Sequence, residues 1–344
     1  MAPPSFRGGA ASHEAPPNIA LIKYWGVRDV AHRLPYNSSL SVTLDRFRSR
    51  TTVRFDPAFA ADRVRLNGAS ATGAPRDGVV RFLDRVRERA GIALRAEVVS
   101  ANNFPTASGM ASSASGFAAL AGAASRAAGL RLGDRALSQL AALGPGSAAR
   151  SVFGGFVEWR AGVRRDGRDC YARPLLPPDH WPELVDLVLL VRDAPVKEVR
   201  SAEAMQWSVA TSPLYRRRIA TVPRRLARLR SALRDRDPAR LFPLIMEECD
   251  EFRAVCETTR PRLDYLTETS RAILEEVRAV NREAERPVAA YTHDAGAHVH
   301  VFTLRARVPR LRRRLASLPG VAGSLLARPG PGAHPMSRAL PRSG

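Results

Sequence analysis

Residues 103–116, NFPTASGMASSASG, have the composition of a loop that binds phosphate groups. They follow a strand-like stretch and lead into an alanine-rich stretch typical of a helix. Small side chains let a polyphosphate approach the backbone, and a helix N-terminus supplies N–H donors and a positive dipole end. The hydroxyls of Ser112, Ser113 and Ser115 could bind phosphate oxygens or Mg²⁺. Since no lysine completes a GxxxxGK(S/T) pattern, a flexible serine- and glycine-rich loop stays the alternative.

Two further segments carry polar side chains next to tight turns. In residues 144–155, GPGSAARSVFGG, Ser147 and Arg150 could jointly hold a carboxylate or phosphate, although glycine-rich turns with one arginine are common. In residues 291–296, YTHDAG, Asp294 follows a strand-like stretch. Asp294 could be a catalytic carboxylate, but the residues alone favour a turn residue that satisfies its own backbone.

Lysine is almost absent from this chain. Of the 54 lysines and arginines only Lys23 and Lys197 are lysines, and Lys23 lies in NIALIKYWGVRD near the end of a predicted strand. Because an ammonium is a compact charge that a guanidinium does not imitate, a lysine at this place indicates chemistry. The three cysteines form neither a disulfide framework nor a CxxC metal pair.

The elements that must position these residues alternate between strands and helices. Hydrophobic patterns predict strands at 18–24, 39–44, 51–55, 63–67, 94–100, 153–159, 185–191, 288–292 and 298–304. They predict helices at 77–90, 116–128 and 134–143, in three segments within 200–282, and at 308–318. Without a regular βαβ period the fold class is α+β, with a strand-rich N-terminal half and a helix-rich C-terminal half. Residues 1–16 predict a disordered arm, and residues 327–344 a mobile basic tail.

Composition restricts the class of protein. The 344 residues are 45% hydrophobic, so the chain can form a core. It contains neither an apolar run of membrane-spanning length nor an N-terminal signal core, which predicts a cytoplasmic protein with no membrane contact. The net charge of +21 is concentrated in stretches such as 215–240, where apolar residues at helical spacing predict that the arginines cover a solvated face. With 6% aromatic residues, binding of a small anion is favoured over nucleic acid.

Six collinear segments together resemble the mevalonate diphosphate decarboxylases of the GHMP kinase superfamily. They are NIALIKYWG, LPYNSSLSVTLD, NNFPTASGMASSASGFAAL, GSAARSVFGGFVEW, MQWSVATS and AYTHDAG. The resemblance extends from residue 18 to about residue 304. It implies a GHMP kinase-like two-lobed α+β fold, with an ATP-binding lobe at 17–190, a second lobe at 191–326 and the substrate in the cleft between them.

The resemblance also implies a reaction: ATP-dependent decarboxylation of (R)-mevalonate 5-diphosphate to isopentenyl diphosphate, with ADP, phosphate and CO₂, in isoprenoid biosynthesis. Asp294 matches the catalytic aspartate that accepts or orients the proton of the 3-hydroxyl. Lys23 matches the lysine that offsets charge on the transferring phosphoryl group. Arg150 and Ser147 match the pair that positions the substrate carboxylate and phosphates, with Asn18 beside them.

Other positions of the pattern contact substrate or nucleotide in such enzymes. Those implied for the substrate are Tyr24, Trp25, Gly26, Val27, Arg76, Gly146 and Thr211. Those implied for ATP are Asn103, Pro105, Ser108, Gly109, Ser112 and Ser113. The metal is expected to be Mg²⁺ bound through the ATP phosphates, with Ser113 as a candidate ligand. The resemblance further implies a homodimer.

Two departures from the family pattern leave the substrate open. Where the family usually has YWGK, this chain has Val27, and where its substrate loop commonly reads GSGSACR, this chain has Pro145. Both changes remove hydrogen-bond donors from the part of the substrate site that holds the 5-phosphates. Mevalonate 5-phosphate is therefore the second candidate substrate, unless the nearby Arg28 compensates. A kinase that stops after phosphorylating the 3-hydroxyl is a third hypothesis, which the presence of Asp294 and Arg150 argues against.

Overall fold

The structure is a computed structural model that describes residues 6–104, 112–194, 199–337 and 339–340. The strands within these residues form a six-stranded sheet, two four-stranded sheets and a two-stranded sheet. The strands are β1 (Gly9–Ala15), β2 (Asn18–Ile22), β3 (Val27–Asp29), β4 (Leu34–Pro35), β5 (Ser39–Thr43), β6 (Ser49–Phe55), β7 (Arg63–Leu66), β8 (Ala69–Ser70), β9 (Ala96–Asn102), β10 (Phe156–Trp159), β11 (Ala172–Leu176), β12 (Leu184–Val191), β13 (Ala289–Thr292), β14 (Val299–Leu304), β15 (Val321–Ala327) and β16 (His334–Met336).

The α-helices of the described residues are concentrated in the C-terminal half. They are α1 (Gly73–Ala90), α2 (Ser112–Ala127), α3 (Asp134–Ala142), α4 (Ser201–Thr211), α5 (Tyr215–Arg234), α6 (Pro238–Thr258), α7 (Glu268–Glu283) and α8 (Val308–Ala316). Two 3₁₀ helices, Gly146–Val152 and Arg305–Arg307, complete the set. None of the helices in the described ranges combines the length and the apolar character needed to cross a membrane. The predicted α+β class is confirmed.

The N-terminal half is built on two sheets, with strand orders β16-β1-β6-β9-β7-β8 and β11-β10-β5-β2. Its helix α2 lies directly on β1 and β6. At Gly122 a Cβ atom would come within 2.2 Å of the His13 ring. The alanine- and glycine-rich sequence of α2 is therefore required by close packing, and the helix N-terminus is held firmly at the edge of this layer.

Within the described residues, both terminal segments contain strands that the sequence analysis did not predict. Instead of a disordered arm, β1 pairs with β6 along its whole length, from Gly9 to Ala15. The tail is also corrected, because β16 pairs with β1, with Ser12 opposite Met336. Both strands consist largely of small and polar residues, so local hydrophobicity does not predict them. They are stabilised by backbone pairing with a neighbouring strand. Residues 1–5 and 341–344 lie outside the described ranges.

The C-terminal half is a sheet of order β13-β14-β12-β15 covered by helices. β12, which the sequence analysis places in the N-terminal lobe, pairs with β14 and β15 in this sheet. The two halves share one apolar core, in which Ile19 and Leu40 join Phe242 and Ala290. Helix α6 packs against both β2 and β13. It therefore fixes the ends of these two strands, where Lys23 and Asp294 follow, relative to each other.

Candidate active site

A cavity of about 820 Å³ brings together residues from all four segments singled out in the sequence. Six cationic side chains line it, and Asp294 is the one carboxylate among the described lining residues. The cations are Lys23, Arg33, Arg81, Arg85, Arg150 and Arg200. So strong a positive excess in a concave site favours a polyanionic ligand. Of the implied substrate and nucleotide positions, those that line the cavity with Lys23, Arg150 and Asp294 are Tyr24, Trp25, Gly146, Ser147, Ser112 and Ser113.

Lys23 and Asp294 form an ion pair in this cavity. The Lys23 Nζ lies 2.8 Å from the Asp294 Oδ1 and donates a second hydrogen bond, of 2.7 Å, to the carbonyl oxygen of Ala20. The Lys23 side chain is 3% exposed and that of Asp294 is 26% exposed. Asp294 is thus more than a turn residue: its carboxylate reaches across to the other half of the molecule and stays accessible from the cavity.

The Asp294 carboxyl is ionised at neutral pH. Burial acts to raise its pKa, but the charge of Lys23 and its hydrogen bond oppose this, and the charge of Arg150 lowers it further. The net effect is a pKa below the ordinary value of an aspartate. A carboxylate held ionised in a cationic cavity can orient a substrate hydroxyl and accept its proton.

The Lys23 backbone is fixed by a buried charge cluster that the sequence analysis missed. The Glu248 Oε1 accepts a 2.9 Å hydrogen bond from the Lys23 amide. Arg218 donates to Glu248 and, at 3.4 Å, to the Lys23 carbonyl oxygen. Arg225 bonds to the other Glu248 oxygen at 2.6 Å. The Glu248 and Arg218 side chains are both fully buried, so the lysine is held by groups that have no freedom to move.

The sequence analysis expected the arginines of α5 to cover a solvated face, but two of them do not. Arg218 and Arg225 are buried, and both donate to acidic residues of α6. The signal was present in the spacing, because these two residues lie seven apart and on the same side of the helix as the buried Val222 and Leu229. An arginine on the apolar face of one helix, packed against a neighbouring helix that carries a glutamate, indicates a buried ion pair; here the glutamate is Glu248 of α6.

Arg150 is a buried cation that faces the cavity. Its Nε donates a 3.1 Å hydrogen bond to the Asn18 Oδ1, and its Nη1 a 2.6 Å bond to the Ser39 Oγ. Burial lowers its pKa to about 10, which leaves it charged at neutral pH. Asn18 does not line the cavity; its Nδ2 donates to the Ser147 carbonyl oxygen at 3.2 Å. Asn18 therefore positions Arg150 and Ser147.

The residues after Lys23 differ in what they offer the cavity. Tyr24 lines it and packs edge-on against Trp159, with ring centroids 4.9 Å apart, and burial raises its pKa to about 12, so it keeps its proton. Gly26 and Val27 are not among the lining residues. Gly26 has φ +110°, and a Cβ there would come within 1.8 Å of the Tyr215 hydroxyl. Its role is to let the chain turn under the cavity.

Three residues that the resemblance implies lie outside the cavity and bond elsewhere. Arg76 contacts Asp77 at 3.6 Å, on the first turn of α1. The Thr211 Oγ1 donates to the Trp207 carbonyl oxygen at 2.7 Å, because the last turn of α4 directs it back onto its own helix. The Asn103 Oδ1 accepts a 2.7 Å hydrogen bond from the Arg48 amide. For these residues ligand contact stays a prediction.

Two other arginines of α1, which the sequence analysis did not single out, line the cavity. Arg81 and Arg85 lie one turn apart and line the cavity close to the start of α2. They could have been found from the sequence, because their spacing of four residues places both on one face of a predicted helix. The sequence analysis used the apolar face of this helix and did not ask where its arginines point.

The start of α2 supplies the hydroxyls expected of a phosphate loop. Ser112 and Ser113 begin the helix and line the cavity, whereas the Ser115 hydroxyl is buried against that of Ser49 at 2.7 Å. Pro105, Ser108 and Gly109 lie outside the described residues. Among the described residues no group of three or more histidine, cysteine, aspartate or glutamate side chains is arranged to hold a metal ion. The donor set fits a Mg²⁺ ion carried by phosphate groups better than one in a protein cage.

The sequence matches two family models. Residues 15–172 match the diphosphomevalonate decarboxylase-like N-terminal domain, and residues 187–322 match the mevalonate 5-diphosphate decarboxylase C-terminal domain. The chain is 42% identical over 307 residues to diphosphomevalonate decarboxylase ERG19 of Gibberella zeae, covering 85% of this chain and 80% of that protein. It is 42% identical over 311 residues to the diphosphomevalonate decarboxylase of Homo sapiens, covering 86% and 77%.

Solved structures show the same fold. The structure described as MDDEF in complex with MVAPP, AMPPCP and magnesium is similar with a TM-score of 0.89 and 36% identity, covering 96% of this chain and 99% of that one. The mevalonate diphosphate decarboxylase from Staphylococcus aureus is similar with a TM-score of 0.89 and 33% identity, covering 96% and 98%. The two-lobed arrangement implied by the sequence is thus shared with proteins of known structure.

Proposed function

Because the chain belongs to the diphosphomevalonate decarboxylase family, we propose that it catalyses the ATP-dependent decarboxylation of (R)-mevalonate 5-diphosphate. The products are isopentenyl diphosphate, ADP, phosphate and CO₂. The observation that carries the proposal is the ion pair of Lys23 and Asp294 in one cationic cavity with the buried Arg150. This set provides a base, a cation for phosphoryl transfer and a fixed site for a carboxylate.

The first step is phosphorylation of the tertiary 3-hydroxyl. Asp294, held ionised by Lys23, orients this hydroxyl and accepts its proton as the oxygen attacks the γ-phosphorus of ATP and ADP leaves. The Lys23 ammonium offsets negative charge on the transferring phosphoryl group. The step converts hydroxide, a poor leaving group, into phosphate, a good one.

The second step breaks two bonds and forms one. The C3–O bond to phosphate breaks, positive character develops at C3, and the electron pair of the bond to the carboxylate becomes the new C=C bond as CO₂ leaves. Two of the three guanidinium nitrogens of Arg150 are bonded to Asn18 and Ser39. The guanidinium is therefore fixed in orientation, and its remaining N–H groups are available to hold the substrate carboxylate in place.

The nucleotide is proposed to bind at the start of α2. Ser112 and Ser113 there line the cavity with Arg81 and Arg85 of α1, and together they are suited to a triphosphate. Mg²⁺ would neutralise charge on the phosphate oxygens when bound, with the Ser113 hydroxyl as the candidate protein ligand. The homodimer and the cytoplasmic location expected from the sequence stay predictions.

Mevalonate 5-phosphate is the second candidate substrate, because Pro145 lines the cavity with neither a hydroxyl nor an N–H. The test is release of ADP and CO₂ by the purified protein with Mg-ATP and mevalonate, its 5-phosphate or its 5-diphosphate. We expect CO₂ with the 5-diphosphate. CO₂ with the 5-phosphate alone would select the second candidate, and absence of CO₂ with all three would overturn the proposal.

A further inference from the structure

Arg28, which the sequence left open as a replacement for the lysine absent at Val27, is bonded to the protein and does not face the cavity. The Arg28 Nε donates to the Pro35 carbonyl oxygen at 3.2 Å. Its Nη2 donates to the carbonyl oxygens of Ala161 and Gly162, at 3.2 and 3.1 Å. These bonds tie the β3–β4 hairpin to the loop after β10. Arg28 is therefore a structural residue, and it does not line the cavity.

Arg33, at the end of the same hairpin, has the opposite character. It lines the cavity, and its guanidinium makes no hydrogen bond or ion pair with any residue in the described part of the chain. Its φ of 53° is in the left-handed region, where glycine or asparagine is the usual residue. An arginine there carries a backbone cost that no hydrogen bond or ion pair of its side chain within the described residues offsets. A ligand in the cavity would supply that contact.

The position of Arg33 in the cavity follows from its neighbour Tyr24. The charges of Arg33 and Arg150 both act on the Tyr24 hydroxyl, and the charge of Arg150 acts on Asp294 as well. Arg150 is thus near enough to act on both Asp294 and Tyr24, and Arg33 acts on Tyr24 from the same cavity. Gly146 also lies here, because a Cβ on it would come within 2.9 Å of the Tyr24 ring.

We infer that Arg33 binds the terminal phosphate of the substrate's 5-diphosphate and so determines the preference for the diphosphate over the monophosphate. The inference rests on the proposed function. When Arg150 holds the carboxylate near Asp294, the substrate's other anionic end extends toward Tyr24. A guanidinium with all its donors free pairs with a terminal phosphate through two parallel hydrogen bonds. A monophosphate lacks the group that reaches this arginine.

The experiment is calorimetric titration of the protein with mevalonate 5-diphosphate and with mevalonate 5-phosphate, without ATP, for the wild type and Arg33→Asn. Asparagine tolerates the left-handed backbone, so the variant is expected to fold. Arg236→Asn is the matched control, because Arg236 has φ 51°, is exposed and does not line the cavity. Arg33→Lys keeps the positive charge but removes the planar guanidinium, which can form two parallel hydrogen bonds to a phosphate.

We expect Arg33→Asn to weaken binding of the 5-diphosphate about tenfold or more, and that of the 5-phosphate less than about twofold. Arg33→Lys should recover part of the loss, and Arg236→Asn should bind both ligands as the wild type does. An unchanged affinity for the diphosphate, or an equal loss for both ligands, would overturn the role of Arg33. Failure of the wild type to bind either ligand would instead count against the proposed function.

Discussion

The two ends of the cavity are built from charges of different kinds. At the catalytic end Lys23 is 3% exposed and paired with Asp294, and its backbone is held by the fully buried Glu248 and Arg218. At the end proposed to bind the nucleotide, Arg81 and Arg85 lie exposed on α1, where Arg85 pairs with the exposed Glu88 at 3.4 Å. One end is fixed before a ligand arrives, and the other consists of side chains in contact with water.

The difference follows from what each end must do. Proton and phosphoryl transfer depend on tenths of an ångström, so the groups involved are stabilised by partners that cannot relax. A triphosphate is a strong polyanion that mobile arginines can follow, so exposed residues suffice to attract it. Changes at the catalytic end are therefore expected to lower kcat by large factors, and changes at the nucleotide end to alter KM by small ones.

The largest effect is expected for Asp294→Asn. The amide cannot accept the hydroxyl proton, so turnover should fall about 10²- to 10⁴-fold while the thermal transition and ATP binding persist. Single-turnover ADP release measures the loss. Since the pKa of Asp294 lies below its ordinary value of 3.8, the wild-type rate should lose its base only in acid below that value. Near-normal turnover of the variant would remove Asp294 from the chemistry.

Arg150→Lys should be next in size. A lysine keeps the charge but cannot bond to Asn18 and Ser39 while it holds a carboxylate, so kcat/KM should fall about a hundredfold. Steady-state kinetics with the 5-diphosphate checks this. A lysine variant within a factor of three of the wild type would show that charge alone is enough at this position.

Glu248→Gln tests whether the buried cluster positions Lys23. The change leaves Arg218 and Arg225 with less negative charge around them, so the free energy of unfolding should fall by about 3–5 kcal/mol. Displacement of Lys23 should lower kcat roughly tenfold without a matching rise in KM. Glu247→Gln is the control, because Glu247 also contacts Arg225 but is 49% exposed. Equal effects of the two variants on kcat would contradict the positioning role.

Arg81→Ala should give the smallest effect. Because an exposed charge contributes little in water, KM for ATP should rise only about two- to fivefold, and the rise should shrink at high salt. Arg89→Ala, on the same helix but outside the cavity, should leave KM unchanged. A large loss of kcat in Arg81→Ala would mean that the nucleotide end is as rigidly organised as the catalytic end.

The sequence predicts the catalytic end better than its support. Lys23 stands out because lysine is rare, whereas local signals left the roles of Arg150 and Asp294 open and the family resemblance implied them. Arg218 was missed because, although its spacing places it on the apolar face of α5, its partner Glu248 belongs to another helix and the local pattern does not identify it. The strands at 9–15 and 334–336 were missed for the same reason, since each gains its backbone partners from a distant part of the chain. Contacts across the fold decide these features.

The central claim is that one site phosphorylates the 3-hydroxyl and then releases CO₂. The most direct test is a single turnover of the wild type with Mg-ATP and mevalonate 5-diphosphate in which ADP and CO₂ are counted together. The account predicts one CO₂ for each ADP, with both lost in parallel in Asp294→Asn. ADP without CO₂ would contradict it and leave a kinase.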